Sequence, residues 1–247
     1  MKLFEAASSN EKGIEKTPSN DVVQLKRDII TLAAAYDRGF GATANVRDKM
    51  DRLILNLSRY LDFEDVAIFS DESTDALSSR EDAGSTPPLS PLNGTWQLIY
   101  TNAFDVLSLA TPLNTVSAVY QELNLRKGTA VNIIDLLPRI PTSFFSSIPN
   151  FLTRLKVKIK AYRRGPKRVG LTFESVEVQP LKDLIQLPFT PLKFDLPTKY
   201  FTDILSSSYD SPGYFDVRYV DEDMLIIQQN APGGYFVSVK VSSADEP

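Results

Sequence analysis

The sequence contains neither cysteine nor histidine among its 247 residues. Without cysteine the fold has no disulfide and no thiolate metal site. Without histidine, Ser-His-Asp and Cys-His nucleophile pairs and imidazole-ligated metal sites are impossible. Gly-rich phosphate-binding motifs are missing as well. Catalysis would have to depend on carboxylate, lysine or tyrosine groups, so we predict a protein that is not an enzyme and that uses no cofactor or metal.

Long apolar segments and a targeting sequence are also missing. The most hydrophobic stretches are interrupted by Pro, Lys or Asp well before the about 18 residues that a membrane-spanning helix needs. Glu5, Glu11 and Glu15 lie in the amino-terminal region, whereas transit peptides contain few acidic residues and secretory signals need an apolar core. The sequence therefore predicts a soluble or peripheral protein with no visible targeting segment.

The first third of the chain contains two amphipathic segments between polar regions. Residues 1–19 are polar and charged without a periodic pattern and predict a disordered tail. Residues 20–69 contain two apolar stripes at helical spacing and predict a helical hairpin. Residues 70–92 are rich in Ser, Asp, Glu and Pro and predict an exposed linker. The two stripes comprise Leu25, Ile29, Leu32, Ala33 and Tyr36, and then Val46, Met50, Leu53, Leu57 and Leu61.

Residues 93–242 consist of short alternating segments separated by turn residues. In the first segment Trp96, Leu98 and Tyr100 alternate, so we expect their side chains to lie on one face, with the indole closing one end of a barrel. The clearest hairpin spans residues 155–173. About eight such strands predict a mainly β domain, an antiparallel barrel preceded by the helical hairpin.

Three segments of this region resemble a known family. Residues 93–101, NGTWQLIYT, are similar to the first strand of the plastid lipid-associated proteins, the fibrillins, and residues 213–224 are similar to the family's carboxyl-terminal element. Residues 119–121 together with Asn132 resemble a further element. The resemblance implies a lipocalin-like barrel and a plastid protein of the chloroplast thylakoid or plastoglobule, with the transit peptide absent from this sequence.

The predicted barrel interior is lined mainly by large apolar side chains, and a barrel of this size either fills itself or encloses an apolar cavity. With the resemblance, this predicts the binding or carriage of a prenyl quinone, carotenoid or other lipid without catalysis. The alternative is a structural or adaptor protein with a filled barrel that recruits isoprenoid or quinone biosynthetic enzymes. Asp221 lies in a predicted turn, where it either caps backbone amides or faces the mouth of the pocket. The candidate ligand-binding residues are Trp96, Leu98, Tyr100, Phe104, Phe173, Phe215, Tyr219, Asp221 and Phe236.

Two surface features predict contact with a thylakoid or plastoglobule surface, or with a protein partner. One is the apolar, Pro-broken run over residues 133–152. It predicts such a contact because loops rarely expose so much apolar surface without burying it against something. The other is a basic hairpin, which is either a solvated outer face or a site for anionic lipid or an acidic partner. No aromatic side chains are interleaved with the cations, so nucleic acid is not an expected partner. The candidate contact residues are Phe144, Phe145, Phe151, Lys156, Lys158, Lys160, Arg163 and Arg164.

Overall fold

The computed structural model of the protein describes residues 19–61, 90–112, 114–139, 153–180, 192–194 and 213–242. Most of the predicted tail and linker, and the candidate contact residues Phe144, Phe145 and Phe151, lie outside the described residues.

The described chain begins with two antiparallel helices, which confirm the predicted N-terminal helices. Helix α1 spans Asn20–Ala35 and α2 spans Ala44–Ser58, with a short 3₁₀ turn at Asp37–Gly39 between them. The Ser19 hydroxyl accepts a hydrogen bond from the Val22 amide and caps the first turn of α1. From the predicted apolar stripes, Ile29 and Ala33 on α1 and Met50 and Leu57 on α2 are fully buried, because each helix packs on the other and on the sheet that follows.

Nine strands and one short helix follow. They are β1 (Gly94–Thr101), α3 (Phe104–Leu107), β2 (Asn114–Asn124), β3 (Thr129–Pro138), β4 (Thr153–Arg163), β5 (Arg168–Pro180), β6 (Leu192–Phe194), β7 (Tyr214–Val220), β8 (Met224–Gln229) and β9 (Gly234–Lys240).

Eight of these strands form a closed antiparallel ring. The order is β4-β3-β2-β1-β9-β8-β7-β5, and pairing of β5 with β4 closes it. The long strand β5 pairs with β7 near its start and with β6 near its end, so β6 lies outside the ring. The predicted fold class, mainly β with about eight antiparallel strands after N-terminal helices, is confirmed.

The ring wall divides into two halves with different surroundings. We call β7, β8, β9 and β1 the helix-covered wall, because its outer face packs against α1 and α2 while its inner face packs inside the ring. The four residues Met224–Ile227 are therefore all buried in succession. We call β2, β3, β4 and β5 the lysine-bearing wall; along β4 the buried Ile159 and Ala161 alternate with exposed residues.

Two β-bulges turn the side chains of Tyr100 and Tyr219 to the face opposite the expected one. The register between β1 and β9 shifts between Leu98 and Tyr100, and the register between β7 and β8 shifts between Val217 and Tyr219. An extra residue in one strand reverses which face the following side chains occupy. The expectation that Trp96, Leu98 and Tyr100 share a face is therefore wrong. Both Tyr100 and Tyr219 belong to the core beneath the helices.

The turn between the helices is fastened to the ring by backbone contact. Gly39 has φ +98°, and a Cβ there would lie 1.9 Å from the Thr101 carbonyl oxygen, so only glycine fits. The neighbouring Arg38 guanidinium donates to the carbonyl oxygens of Val116 (2.8 Å) and Ser117 (2.6 Å) on β2. This turn fixes the position of the helices on the ring.

Candidate functional site

A cavity of about 190 Å³ lies inside the ring, between the Trp96 indole and α3. Both walls contribute apolar side chains to its lining. Helix α3 and the segment after it contribute Asp105, Val106 and Leu109 at one end. The cavity is close in size to an engineered apolar cavity of about 150 Å³ that takes up benzene. It is smaller than the roughly 300 Å³ at which pockets for drug-sized molecules begin.

Five of the nine predicted ligand-binding residues line this cavity. They come from four different strands, and the closed ring brings them together. They are Trp96, Leu98, Phe173, Phe215 and Phe236.

The other four predicted ligand-binding residues do not line the cavity. Tyr100 and Tyr219 face the helices because of the two bulges. Phe104, at the start of α3, is 73% exposed. Asp221 lies in the turn between β7 and β8, where its carboxylate is bound to other residues of the protein. The hypothesis that each of these residues contacts a ligand has no support from the cavity.

Trp96 separates the cavity from a packed end of the ring. Its indole N–H donates to the Leu92 carbonyl oxygen (2.9 Å), and both side chains are completely buried. The Lys240 ammonium lies 4.9 Å from the centre of the indole ring and donates to the Asn93 carbonyl oxygen. Beyond Trp96, the buried Leu123, Ala130, Ala161 and Val169 fill the ring interior.

Helix α3 is anchored across the other end of the cavity. The Thr101 hydroxyl donates to the Tyr235 carbonyl oxygen (2.8 Å) and accepts from the Ala103 amide (3.0 Å). Gly234 approaches Ala103 so closely that a Cβ would lie 2.5 Å from the Ala103 Cα. The ends of β1 and β9 thus hold the start of α3 in place.

Two polar pairs interrupt the apolar lining, and sequence reasoning missed both as site residues. On the lysine-bearing wall, Gln121 donates to Asn132 (3.0 Å). Near α3, Gln229 donates to Asp105 (3.1 Å). Burial raises the pKa of Asp105, and the hydrogen bonds from Gln229 and the Val106 amide oppose this shift. For Gln121 and Asn132 a signal existed, since both lie in the family-like element.

Asp221 joins the ring to the first helix. Its carboxylate accepts hydrogen bonds from the Tyr219 hydroxyl (2.6 Å), the Lys26 ammonium (2.8 Å) and the Met224 amide (2.9 Å). Burial alone would raise the pKa of Asp221, but a hydrogen bond with Asp223 together with those from Lys26, Tyr219 and Met224 outweighs burial and lowers the pKa. Of the two roles considered from the sequence, capping of backbone amides is the one observed.

The basic hairpin carries partners that its own sequence does not reveal. Arg154 binds Asp135 through two nitrogens, at 2.7 and 2.9 Å. Lys160 lies 3.1 Å from Glu174, and Lys158 lies 4.0 Å from Glu177. In the register of β4 with β5, Lys156 lies opposite Glu177.

The acids that face β4 come from its neighbours β3 and β5, so the outer face of β4 is mixed in charge. Near the hairpin tip, the guanidinium carbon of Arg164 lies 5.0 Å from the centre of the Tyr214 ring. Arg163 is exposed at the end of β4.

Among the residues described, no cluster of acidic side chains has the geometry of a metal site. In the same part of the chain, none of the helices combines the length and apolar character that crossing a bilayer requires.

The fold and the site define the class of this protein: a closed antiparallel β-ring with a mainly apolar internal cavity and two helices packed on one wall. The PAP_fibrillin family model matches residues 72–238, more than half of the chain, and the protein belongs to this family of plastid lipid-associated proteins. The match covers the ring and begins after the two N-terminal helices. A comparison with curated proteins found no match. The family implies a plastid location and an association with lipid.

Proposed function

We propose that the protein binds a hydrophobic small molecule inside the ring, at thylakoid membranes or plastoglobules, and that it does so without catalysis. The observation that carries this proposal is the cavity between Trp96 and α3, whose lining is mainly apolar and aromatic. Membership of a plastid lipid-associated family supports a prenyl quinone, a carotenoid or another plastid lipid as the proposed ligand class.

The size of the cavity limits how such a molecule is held. A volume of about 190 Å³ accommodates one substituted ring or the end of a chain. A complete prenyl tail or carotenoid exceeds it. The ligand therefore inserts its ring or one terminus between Trp96 and α3, while the remainder stays outside the described cavity. This partial burial predicts micromolar affinity, because ordering and association costs offset much of the gain from burying apolar surface.

Trp96 is the only tryptophan, and it provides a direct test. Decyl-plastoquinone, a short-chain prenyl quinone analogue, should quench the fluorescence of Trp96 in lipid-depleted protein with micromolar dissociation. Val157→Phe adds volume to the cavity lining and should weaken this binding by about tenfold. Val131→Phe makes the same change on a neighbouring strand outside the cavity and should alter it by less than about twofold. Equal effects of the two variants, or no quenching at all, would contradict the proposal.

The adaptor alternative draws on the outer surface of the helices. Val23 and Ile30 on α1 and Leu55 on α2 are each about half exposed, although the opposite faces of both helices are buried. Apolar residues in such positions suit a protein partner. Native mass spectrometry of protein from its own source separates the two functions: a copurifying lipid supports ligand binding, and a lipid-free heterocomplex supports the adaptor.

Peripheral contact with anionic plastid lipid is the second part of the proposal. The exposed Lys158 and Lys160, with Lys156, Arg163 and Arg164, supply the positive charge, and each charge near such a surface contributes roughly 1 kcal/mol. Glu174 and Glu177 offset part of it, so we expect weak, salt-sensitive binding. Flotation with anionic vesicles should fail after Lys156, Lys158 and Lys160 are changed together to Glu. Unchanged flotation of this variant would contradict the proposed contact with anionic lipid.

A further inference from the structure

The amide pair in the cavity wall has hydrogen-bonding groups left over. Gln121 on β2 and Asn132 on β3 lie opposite each other in the strand register, and both line the cavity. Their one mutual hydrogen bond, 3.0 Å long, uses one N–H of Gln121 and the side-chain carbonyl of Asn132. This leaves the carbonyl oxygen of Gln121 and the NH₂ group of Asn132 without a hydrogen-bond partner in the described part of the chain.

The leftover groups do not depend on how the two amides are oriented. If both amides are turned over, Asn132 donates to Gln121, and a carbonyl and an NH₂ group again remain. Within the described chain, no further side-chain hydrogen bond is made by Gln121 or Asn132. The pair thus always presents at least one acceptor and one donor side by side in an otherwise apolar wall.

The second polar pair of the cavity has less to offer. Gln229 donates to Asp105 (3.1 Å) and also to the Ala231 carbonyl oxygen (2.7 Å), which uses both of its N–H groups. One oxygen of Asp105 accepts from the Val106 amide. The polar groups near α3 are therefore largely satisfied by the protein itself, in contrast to Gln121 and Asn132.

We infer that Gln121 and Asn132 select a hydrophobic molecule that carries a hydroxyl group on its ring, as in a phenol or a quinol. A hydroxyl donates to the Gln121 carbonyl and accepts from the Asn132 amide through a single oxygen atom. A quinone carbonyl can only accept, and a hydrocarbon leaves both amide groups unpaired against apolar surface, which costs free energy. The inference rests on the proposed binding of hydrophobic molecules in this cavity and specifies which of them are preferred.

Three single-ring probes that match the cavity in size test the preference. 4-Methylphenol donates and accepts, 4-methylanisole only accepts, and toluene does neither. In the wild-type protein, 4-methylphenol should bind about tenfold more tightly than toluene, because it gains two hydrogen bonds. Calorimetric titration gives the dissociation constants. In NMR spectra, the side-chain amide resonances of Gln121 and Asn132 should shift with 4-methylphenol and remain nearly unchanged with toluene.

The variant Gln121→Leu/Asn132→Leu makes this part of the wall apolar. It should reverse the preference, so that toluene binds more tightly, because the phenol hydroxyl now lacks partners. Gln97→Leu is the matched control, since Gln97 lies on the outer face of β1 between two inward-facing residues. It should keep the wild-type preference. Far-UV circular dichroism verifies folding; if the double variant does not fold, the amide resonances of the wild-type protein decide.

The outcomes separate the inference from the proposed function on which it rests. Toluene binding as tightly as 4-methylphenol to the wild-type protein overturns the inference and leaves the proposed cavity binding in place. A preference for 4-methylphenol that survives in the folded double variant also overturns it. If neither these probes nor decyl-plastoquinone bind, the proposed function fails and the inference with it.

Discussion

The helix-covered wall and the lysine-bearing wall of the ring consist of the same kind of antiparallel strands, but their outer faces have different surroundings. On the helix-covered wall both faces are dry, and Met224, Leu225, Ile226 and Ile227 are buried one after another. On the lysine-bearing wall the outer face carries charges paired across strands, such as Lys160 with Glu174. The difference teaches that apolar alternation identifies a strand only where one of its faces meets water.

The two walls are also stabilised by different contacts. The helix-covered wall depends on close backbone approach at Gly39 and on the network around Asp221. The lysine-bearing wall carries ion pairs that range from the half-exposed Lys160–Glu174 pair to the Arg154–Asp135 pair, in which Asp135 is almost completely buried. Variants on each wall test whether this contrast holds.

The largest effect is expected at the turn that fastens the helices. Gly39→Ala places a methyl group against the Thr101 carbonyl and forces a side chain into the left-handed region. Strain and overpacking together should lower the free energy of unfolding by about 4 kcal/mol. Gly41→Ala is the control, because its Cβ would meet no atom closer than 3.6 Å. Urea denaturation gives both values, and a similar loss for the two variants would contradict the proposed fit.

The second prediction compares two acids on the lysine-bearing wall. Asp135→Asn leaves the largely buried Arg154 guanidinium without its counter-charge and should cost roughly 3 kcal/mol. Glu174→Gln removes a partner of the exposed Lys160 and should cost less than about 1 kcal/mol. Both free energies come from denaturant titration at low salt. Equal costs would mean that burial does not distinguish these pairs.

The third prediction concerns the pH dependence of stability. The folded-state pKa of Asp221 lies below its unfolded value, so its stabilising effect is complete at neutral pH, begins to fall as the pH drops below about 4, and is lost once the pH passes below the folded-state pKa. Asp221→Asn should therefore cost about 2 kcal/mol at pH 7 and progressively less as the pH falls below about 4. Asp105→Asn should instead increase the free energy of unfolding at pH 7, because burial raises the pKa of Asp105 and makes its charged form unfavourable at that pH. Thermal unfolding between pH 3 and 7 checks both signs.

The smallest effects separate the two tyrosines beneath the helices. The Tyr219 hydroxyl donates to Asp221, and Tyr219→Phe should cost about 1 kcal/mol. The Tyr100 hydroxyl is buried and has no hydrogen-bond partner among the described residues. Tyr100→Phe should therefore be neutral or stabilising by up to about 1 kcal/mol. A loss for Tyr100→Phe as large as that for Tyr219→Phe would show that the Tyr100 hydroxyl is satisfied in solution.

The sequence was sufficient for the architecture but not for the direction of particular side chains. The amphipathic helices and the strands that alternate with lysine follow from local periodicity, which water on one face imposes. Tyr100 and Tyr219 were misplaced because a bulge inserts one residue without any compositional signal. The pairing of Gln121 with Asn132 depends on the register of β2 with β3, which periodicity does not fix.

The helix-covered wall is a partition only one strand layer thick. Ile226 faces the helices and the next residue, Ile227, lines the cavity, so a single peptide bond joins the two compartments. A ligand that displaced Ile227 outward would also displace Ile226, which packs beneath α1 and α2. If the proposed ligand binds in the cavity, we therefore expect amide hydrogen exchange in the two helices to change.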